Sequence, residues 1–420
     1  MSIENLHCGK KNKNRNSLFI NLEFYIILFM IMKIKNSVLN LFLISISALF
    51  LLSSCSLKYQ KESSSEKNIP QLTFTNLHLT QYSDNKKTLE LSGSTVEQYK
   101  DSSLAFIKDA DFSMFDSDNK KTSSGKATLI SADSGEEIFK FFDGIEFFDE
   151  SQNIKISGDT LSWNGKTEQL VSAKNSKIEI QKDDFTVSGR NFSASAVSNS
   201  FLFSDSVTGT QLVSNKKDNT KEKITFSGDS MQGSISDSKS DKNSTVLSGN
   251  AEVKSSSMEI NADTIELCGK DFNIIKASGD ISGKSTESEI EFSASSLEYN
   301  QDTKIVILSG NVELKDLKND VIAKAQNIEY DQNLDIAIMQ IDVSLRQKKN
   351  ICTGAYSIYR KKEQILELSG NAVVKQEEDT FRAQSIRFDM QTEEITMDGN
   401  IRGSVTTTKK EEKKAGTENE

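Results

Sequence analysis

The chain has 420 residues, a formal net charge of −10, 36% hydrophobic residues, four cysteines, one proline and two histidines, His7 and His78. No basic stripe of the kind that neutralises phosphate backbones stands out, which argues against nucleic acid, and two histidines leave little for metal or imidazole chemistry. No cofactor or metal is expected.

Taken in chain order, residues 1–31 read as an upstream extension carrying an apolar run, Leu18–Ile31, broken by Glu23. Met32 reads as the start of a signal peptide over residues 32–54: Lys33 and Lys35 make a short basic region, and an apolar run follows from Val38 to Leu52. It closes on Leu52-Ser53-Ser54-Cys55, which resembles the lipobox of bacterial lipoproteins and implies a lipid anchor on Cys55. The small residues matter because a peptidase must admit extended backbone up to the cut. Losing residues 1–54 removes six basic and two acidic side chains, so the net charge falls from −10 to −14.

Residues 55–69 are rich in Ser, Lys and Glu and predict a flexible tether. A repeat then fills residues 70–408. Its pattern is apolar-x-apolar-x-small-x-x-apolar-x-apolar, as in Met258, Ile260, Ala262, Ile265, Leu267 and in Val321, Ala323, Ala325, Ile328, Tyr330. The small anchors are read at 262, 294, 325, 355 and 383, and Ser-Gly-Asn recurs at Gly249, Gly310 and Gly370. Alternation with period two means strands buried on one face. The apolar set resumes three residues after the small anchor rather than two, so one extra residue is absorbed there as a bulge or corner. A charged stretch, 214–223, reads as a linker between two modules, 70–213 and 224–408, and residues 409–420 as a disordered tail. Cys268 and Cys352 lie in strand-like runs, and no disulfide between them is expected.

Leu308–Gln332 and Leu368–Ile401 carry runs such as LSGNVELK, IAKAQNIEYDQ and LSGNAVVK. On these, residues 222–408 resemble periplasmic lipopolysaccharide-transport proteins of the LptA/OstA type. Leu72–Tyr99 and Ser157–Ser195 make residues 71–213 similar to the companion LptC family. That family typically uses a transmembrane helix where this chain has the lipobox. The resemblance implies an all-β fold of two consecutive open antiparallel β-jellyroll modules, with about 22 strands stacked over roughly 100 Å around an apolar groove. It further implies a non-enzymatic periplasmic bridge that holds acyl chains of lipopolysaccharide-type glycolipid and passes them from the inner to the outer membrane. Its partners would be an inner-membrane ATP-driven extraction transporter and an outer-membrane assembly protein or further bridge subunits, joined through edge strands. The lipid on Cys55 would hold the chain to a membrane, the inner one favoured.

Candidates for the groove are Ile156, Leu161, Trp163 and Phe192 in the first module. In the second they are Ile260, Ile265, Leu267, Phe292, Leu297, Tyr299, Ile328, Tyr330, Ile358, Ile386 and Phe388. Each could equally be core, and Trp163 is more often a core filler than a ligand platform. Arg360 interrupts the apolar pattern and reads either as outward-facing, which is favoured, or as lying near a lipid phosphate. The rival readings are a lipid-anchored surface β-solenoid acting as adhesin or scaffold, and a carbohydrate-active enzyme on a β-helix.

Overall fold

The computed structural model describes residues 69–406, apart from 84, 100–102, 117, 151–152, 196, 199, 215–220, 235–243, 257, 270–272, 287–288 and 301. Cys55, the leader, the tether up to residue 68 and the tail from 407 lie outside the described residues. Twenty-four strands, β1 (Pro70–Ser83) to β24 (Arg402–Ser404), account for nearly all of what is described, with no helix among the described residues. The fold is all-β, as the period of two requires. The described residues divide into two compact units. The first ends at Ser256 and takes in Cys268; the second holds 258–267 and everything from Asn273 onward.

In the second unit, strands of 11 or 12 residues follow one another antiparallel, β15 (Ile274–Ser285) to β22 (Asp379–Asp389). Each carries a register irregularity at its middle, for example between Ser293 and Ser296 in β16 (Ile290–Asn300) and between Lys324 and Asn327 in β18 (Val321–Asp331). Ala294 and Leu297, three apart, are both buried, so the expected change of face is real. The register, however, puts the extra residue on the partner strand, which runs from Ser309 to Glu313 while β16 runs from Ser293 to Ser296. Each strand is two short arms joined at a corner.

The corner is built differently in alternate strands. β17 (Ile305–Asp316) and β21 (Ile365–Gln376) turn it on consecutive left-handed residues, Gly310 (φ 81°) with Asn311 (φ 48°) and Gly370 (φ 74°) with Asn371 (φ 59°). A Cβ on Gly310 would sit 2.7 Å from Ser295 Cβ, and one on Gly370 2.7 Å from Ala355 Cβ. Glycine is thus required twice over, by the backbone and by the neighbouring strand. Left-handed corners fall at Gly249, Gly279, Gly310, Ile341, Gly370 and Gly399, one every 29 to 31 residues. Ser-Gly-Asn marks only some of them: Gly279 precedes Asp280, and β19 (Ile336–Gln347) turns on Ile341 and Asp342.

The turns reinforce the stack. Asn164, Asn300, Asp331 and Asp389 each accept two backbone N–H bonds on Oδ1 from residues two and three further on, at 2.8–3.1 Å. The turns also bond to one another: Gly165 N donates to Glu137 O, Gln332 N to Lys304 O, Lys361 N to Asp335 O and Met390 N to Gln364 O. Backbone groups that would otherwise face water at the strand ends are thereby satisfied.

In the first unit the same bent ladder runs from β1 to β13 (Ser244–Lys254), but some strands break at the corner. β6 (Ile154–Asn164) pairs with β7 (Gln169–Ser172) along one arm and with β8 (Lys177–Lys182) along the other. Between them Ser176 Oγ receives the Thr160 N–H, and Ser172 Oγ receives that of Phe192, replacing the missing ladder bonds. β10 (Ser200–Ser214) pairs with β11 (Lys221–Gly228) through eight residue pairs, Val207↔Gly228 to Ser214↔Lys221, and with β12 (Ser230–Ser234) through four. The expected linker at 214–223 is thus strand at Ser214 and again from Lys221. Hydrogen-bonded sheet continues on both sides of residues 215–220.

Candidate functional site

Cross-strand register turns the repeat into rows. In the second unit one inward row reads Leu297, Leu308, Ile328, Met339, Ser357, Leu368, Ile386. The next, nearer the turns, reads Tyr299, Val306, Tyr330, Ala337, Tyr359, Leu366, Phe388. On the other arm a row reads Gly283, Phe292, Leu314, Ala323, Leu345, Cys352, Val374, Phe381. Small residues, Ala325, Gly354, Ala372 and Ala383 among them, occupy the inner side of the corner. Bulky chains on both arms and small ones at the fold are what let the arms close upon each other. Cys352, Leu366, Val374, Ala372 and Phe388 are fully buried, so the interior is filled by the protein's own side chains.

Of the sequence-predicted residues, Ile156, Leu161, Trp163 and Phe192 are buried in the first unit. Ile260, Ile265, Leu267, Leu297, Ile328, Ile386 and Phe388 are buried in the second. Phe292, Tyr299 and Tyr330 are half-buried on inward rows, the Phe292 ring lying over Gly283 of the next strand. Ile358 is a correction. It stands in an outward row, Glu298, Ile307, Glu329, Ile338, Ile358, Glu367, Arg387, while its neighbours Ser357 and Tyr359 are buried.

The error is one of alignment. The inner corner residue of β20 (Asn350–Arg360) is Gly354, opposite Val343, not Ala355. With Gly354 in place the anchors run 262, 294, 325, 354, 383. Arg360 then takes the turn-opening position held by Asn300, Asp331 and Asp389, and its Nη2 lies 3.5 Å from Glu367 Oε2. Sequence reasoning also missed the inward residues of the intervening strands, Leu308, Met339, Leu366 and Leu368. The leucine before each Ser-Gly-Asn was the available signal.

Polar groups gather where the two arms end. Tyr330 Oη donates to Asp335 Oδ1 at 2.6 Å. Burial and then this carboxylate push the phenol above its ordinary value, and the same bond, with Lys362 at 3.0 Å, holds Asp335 below the usual carboxylate range. Asp316 is buried at the far end of β17, receiving Asn319 N and Nδ2 at 3.0 and 2.8 Å. Lys361 Nζ, from the turn at the other end of the strands, is 3.9 Å from Asp316 Oδ2. The arms therefore meet at their tips. Tyr359 is pushed up to about 12 by burial and then by Asp316, and burial alone pushes the Cys352 thiol up to about 12. Cys352 is a buried free thiol. Among the described residues, no group of three or more His, Cys, Asp or Glu could hold a metal, and His78 sits exposed on β1.

Comparison with known proteins follows the same division. Residues 37–212 match the family described as lipopolysaccharide-assembly, LptC-related, a match that takes in the leader's apolar run and ends within β10. Residues 230–333 and 291–394 match, in two overlapping placements, the family of the LptA/(LptD N-terminal domain) LPS transport protein. The placements are offset by 61 residues, two periods of the corner. No curated protein matches. Among solved structures there is a likeness to LptH of Pseudomonas aeruginosa, described as the LptA-homologous periplasmic component of a lipopolysaccharide transport device. It has 14% identity and a TM-score of 0.18, and covers 44% of this chain and 95% of that one. In order along this chain stand a segment that matches the LptC-related family and a segment that matches the LptA/LptD N-terminal family.

Proposed function

We propose that this chain is a non-enzymatic periplasmic bridge whose units take the acyl chains of a lipopolysaccharide-type glycolipid between their arms and pass it from the inner toward the outer membrane. A lipid on Cys55 would hold it to a membrane. The observation that carries the reading is the set of mostly apolar inward rows of the second unit, together with segments that match families of lipopolysaccharide assembly and transport. Acyl chains entering there exchange water for apolar side chains at about 25 cal/mol per Å².

Because the interior is filled, the arms must part for cargo to enter, and the corner is where they would hinge. Small residues on its inner side keep that movement from tearing large contacts. Opening exposes apolar surface, so cargo has to arrive already driven, which fits an ATP-driven extractor upstream. Among the described residues β1 is paired by β2 and β24 by β22, each along one side, which would leave an edge of each for a partner sheet.

Photocrosslinking groups at Ile265, Ile328 and Phe388, in cells making the glycolipid, test this reading. Lipid adducts at these positions and none at outward Ile358 are expected. Absence of an adduct at all three would sink the transport reading and leave a lipid-anchored scaffold.

A further inference from the structure

Ser357 breaks the apolar interior. The five strands of its type in the second unit place Ile265, Leu297, Ile328, Ser357 and Ile386 at one position, three residues past the inner corner. Four are aliphatic and one is serine. The serine is flanked across the sheet by Met339 and Leu368, is fully buried, and its hydroxyl has no hydrogen-bond partner. The first unit contains a second such donor. Trp163, on an inward row between Phe139 and Leu170, has its indole N–H buried with no partner. A donor sealed among hydrocarbon without an acceptor is destabilising, and a serine in a leucine-sized seat also forfeits packing. Neither cost brings the folded chain any contact.

Cargo sliding between the arms would bring acceptors to these donors. Alkyl chains have none, but the ester and amide linkages that join acyl chains to a sugar each present a carbonyl oxygen. We infer that Ser357 Oγ and Trp163 Nε1 are positioning sites that donate a hydrogen bond to an acyl ester or amide carbonyl of the glycolipid, once the arms have opened around it. This rests on the transport reading and adds to it the two donors that would read the acyl linkage. One bond per unit would favour a resting place without fixing the cargo there.

The test uses the full chain and two glucosamine lipids of equal chain length, one acylated through ester and amide links and one ether-linked, with affinity read by titration. Ser357→Ala should weaken binding of the acylated lipid about three- to tenfold, the scale of one hydrogen bond, and leave the ether lipid unchanged. Trp163→Phe should do the same. The cargo-free Ser357→Ala protein should melt a few degrees higher, since an unpaired buried hydroxyl is gone. Ser357→Thr keeps the donor and should restore selectivity. The near-isosteric Ser357→Cys, a weak donor, should behave as the alanine variant does if that one folds poorly. Equal weakening toward both lipids, or none, overturns the inference while sparing the groove. Wild-type protein that binds neither lipid overturns both.

Discussion

Gly370 and Ile341 occupy the same corner in neighbouring repeats, and the backbone demands the same left-handed turn of each, φ 74° and φ 63°. Glycine adopts that region freely; a β-branched side chain does so only under strain of about 1–3 kcal/mol. Opposite substitutions should therefore have opposite effects. Gly370→Ala should cost about 2 kcal/mol, because its Cβ would press on Ala355 as well as strain the backbone, whereas Ile341→Gly should gain about 1 kcal/mol. Urea titration of the two variants checks both signs. Cys352 supplies a pH dependence. Its thiol ionises near 9 when exposed and near 12 in the fold, so the folded state holds a proton that the unfolded chain gives up. That stability is complete below pH 9 and is lost as pH rises toward 12. Cys352→Ala should flatten the decline in melting temperature over that window, from a lower starting value. Native Cys352 should also resist alkylation until the chain unfolds.

A bent strand is defined by which residues face inward on either side of its corner, and β20 shows how easily that is misread. The anchor read at 355 placed Ile358 inward; the register places Cys352, Ser357 and Tyr359 there instead. The strand type, the corner and most inward residues were legible from period and spacing. What stayed hidden was a repeat whose inward seats hold Asn350, Gly354 and Ser357, since its phase is set by pairing with β19 and β21 rather than by its own hydrophobicity. The difference is measurable. Ile328→Ala, at a buried inward seat, should cost about 3 kcal/mol, and Ile358→Ala, on the outward row, no more than about 1 kcal/mol. Comparable losses from the two would reject the assigned phase. The left-handed corners at Gly279 and Ile341 were hidden for a related reason: backbone geometry is kept there while the sequence motif that marks it elsewhere is not.

At the scale of the whole molecule, family and fold divide the chain in different places. The family matches change over between 212 and 230, whereas the first compact unit runs on to Ser256. Strand β10, the last of the LptC-related match, is bonded along both arms by β11 and β12. A protease site placed within residues 215–220 and then cut should accordingly leave the two fragments co-eluting on size exclusion without denaturant. Separation on cutting alone would mean that the joint is weaker than its twelve residue pairs suggest. Carried by one polypeptide, this joint is also indifferent to dilution. Were the two segments separate chains, the fraction of paired segments would vary with the expression of each, and an excess of either would leave sheet edges open to wrong partners. Here every molecule synthesised brings both halves in a one-to-one stoichiometry, with that edge already covered.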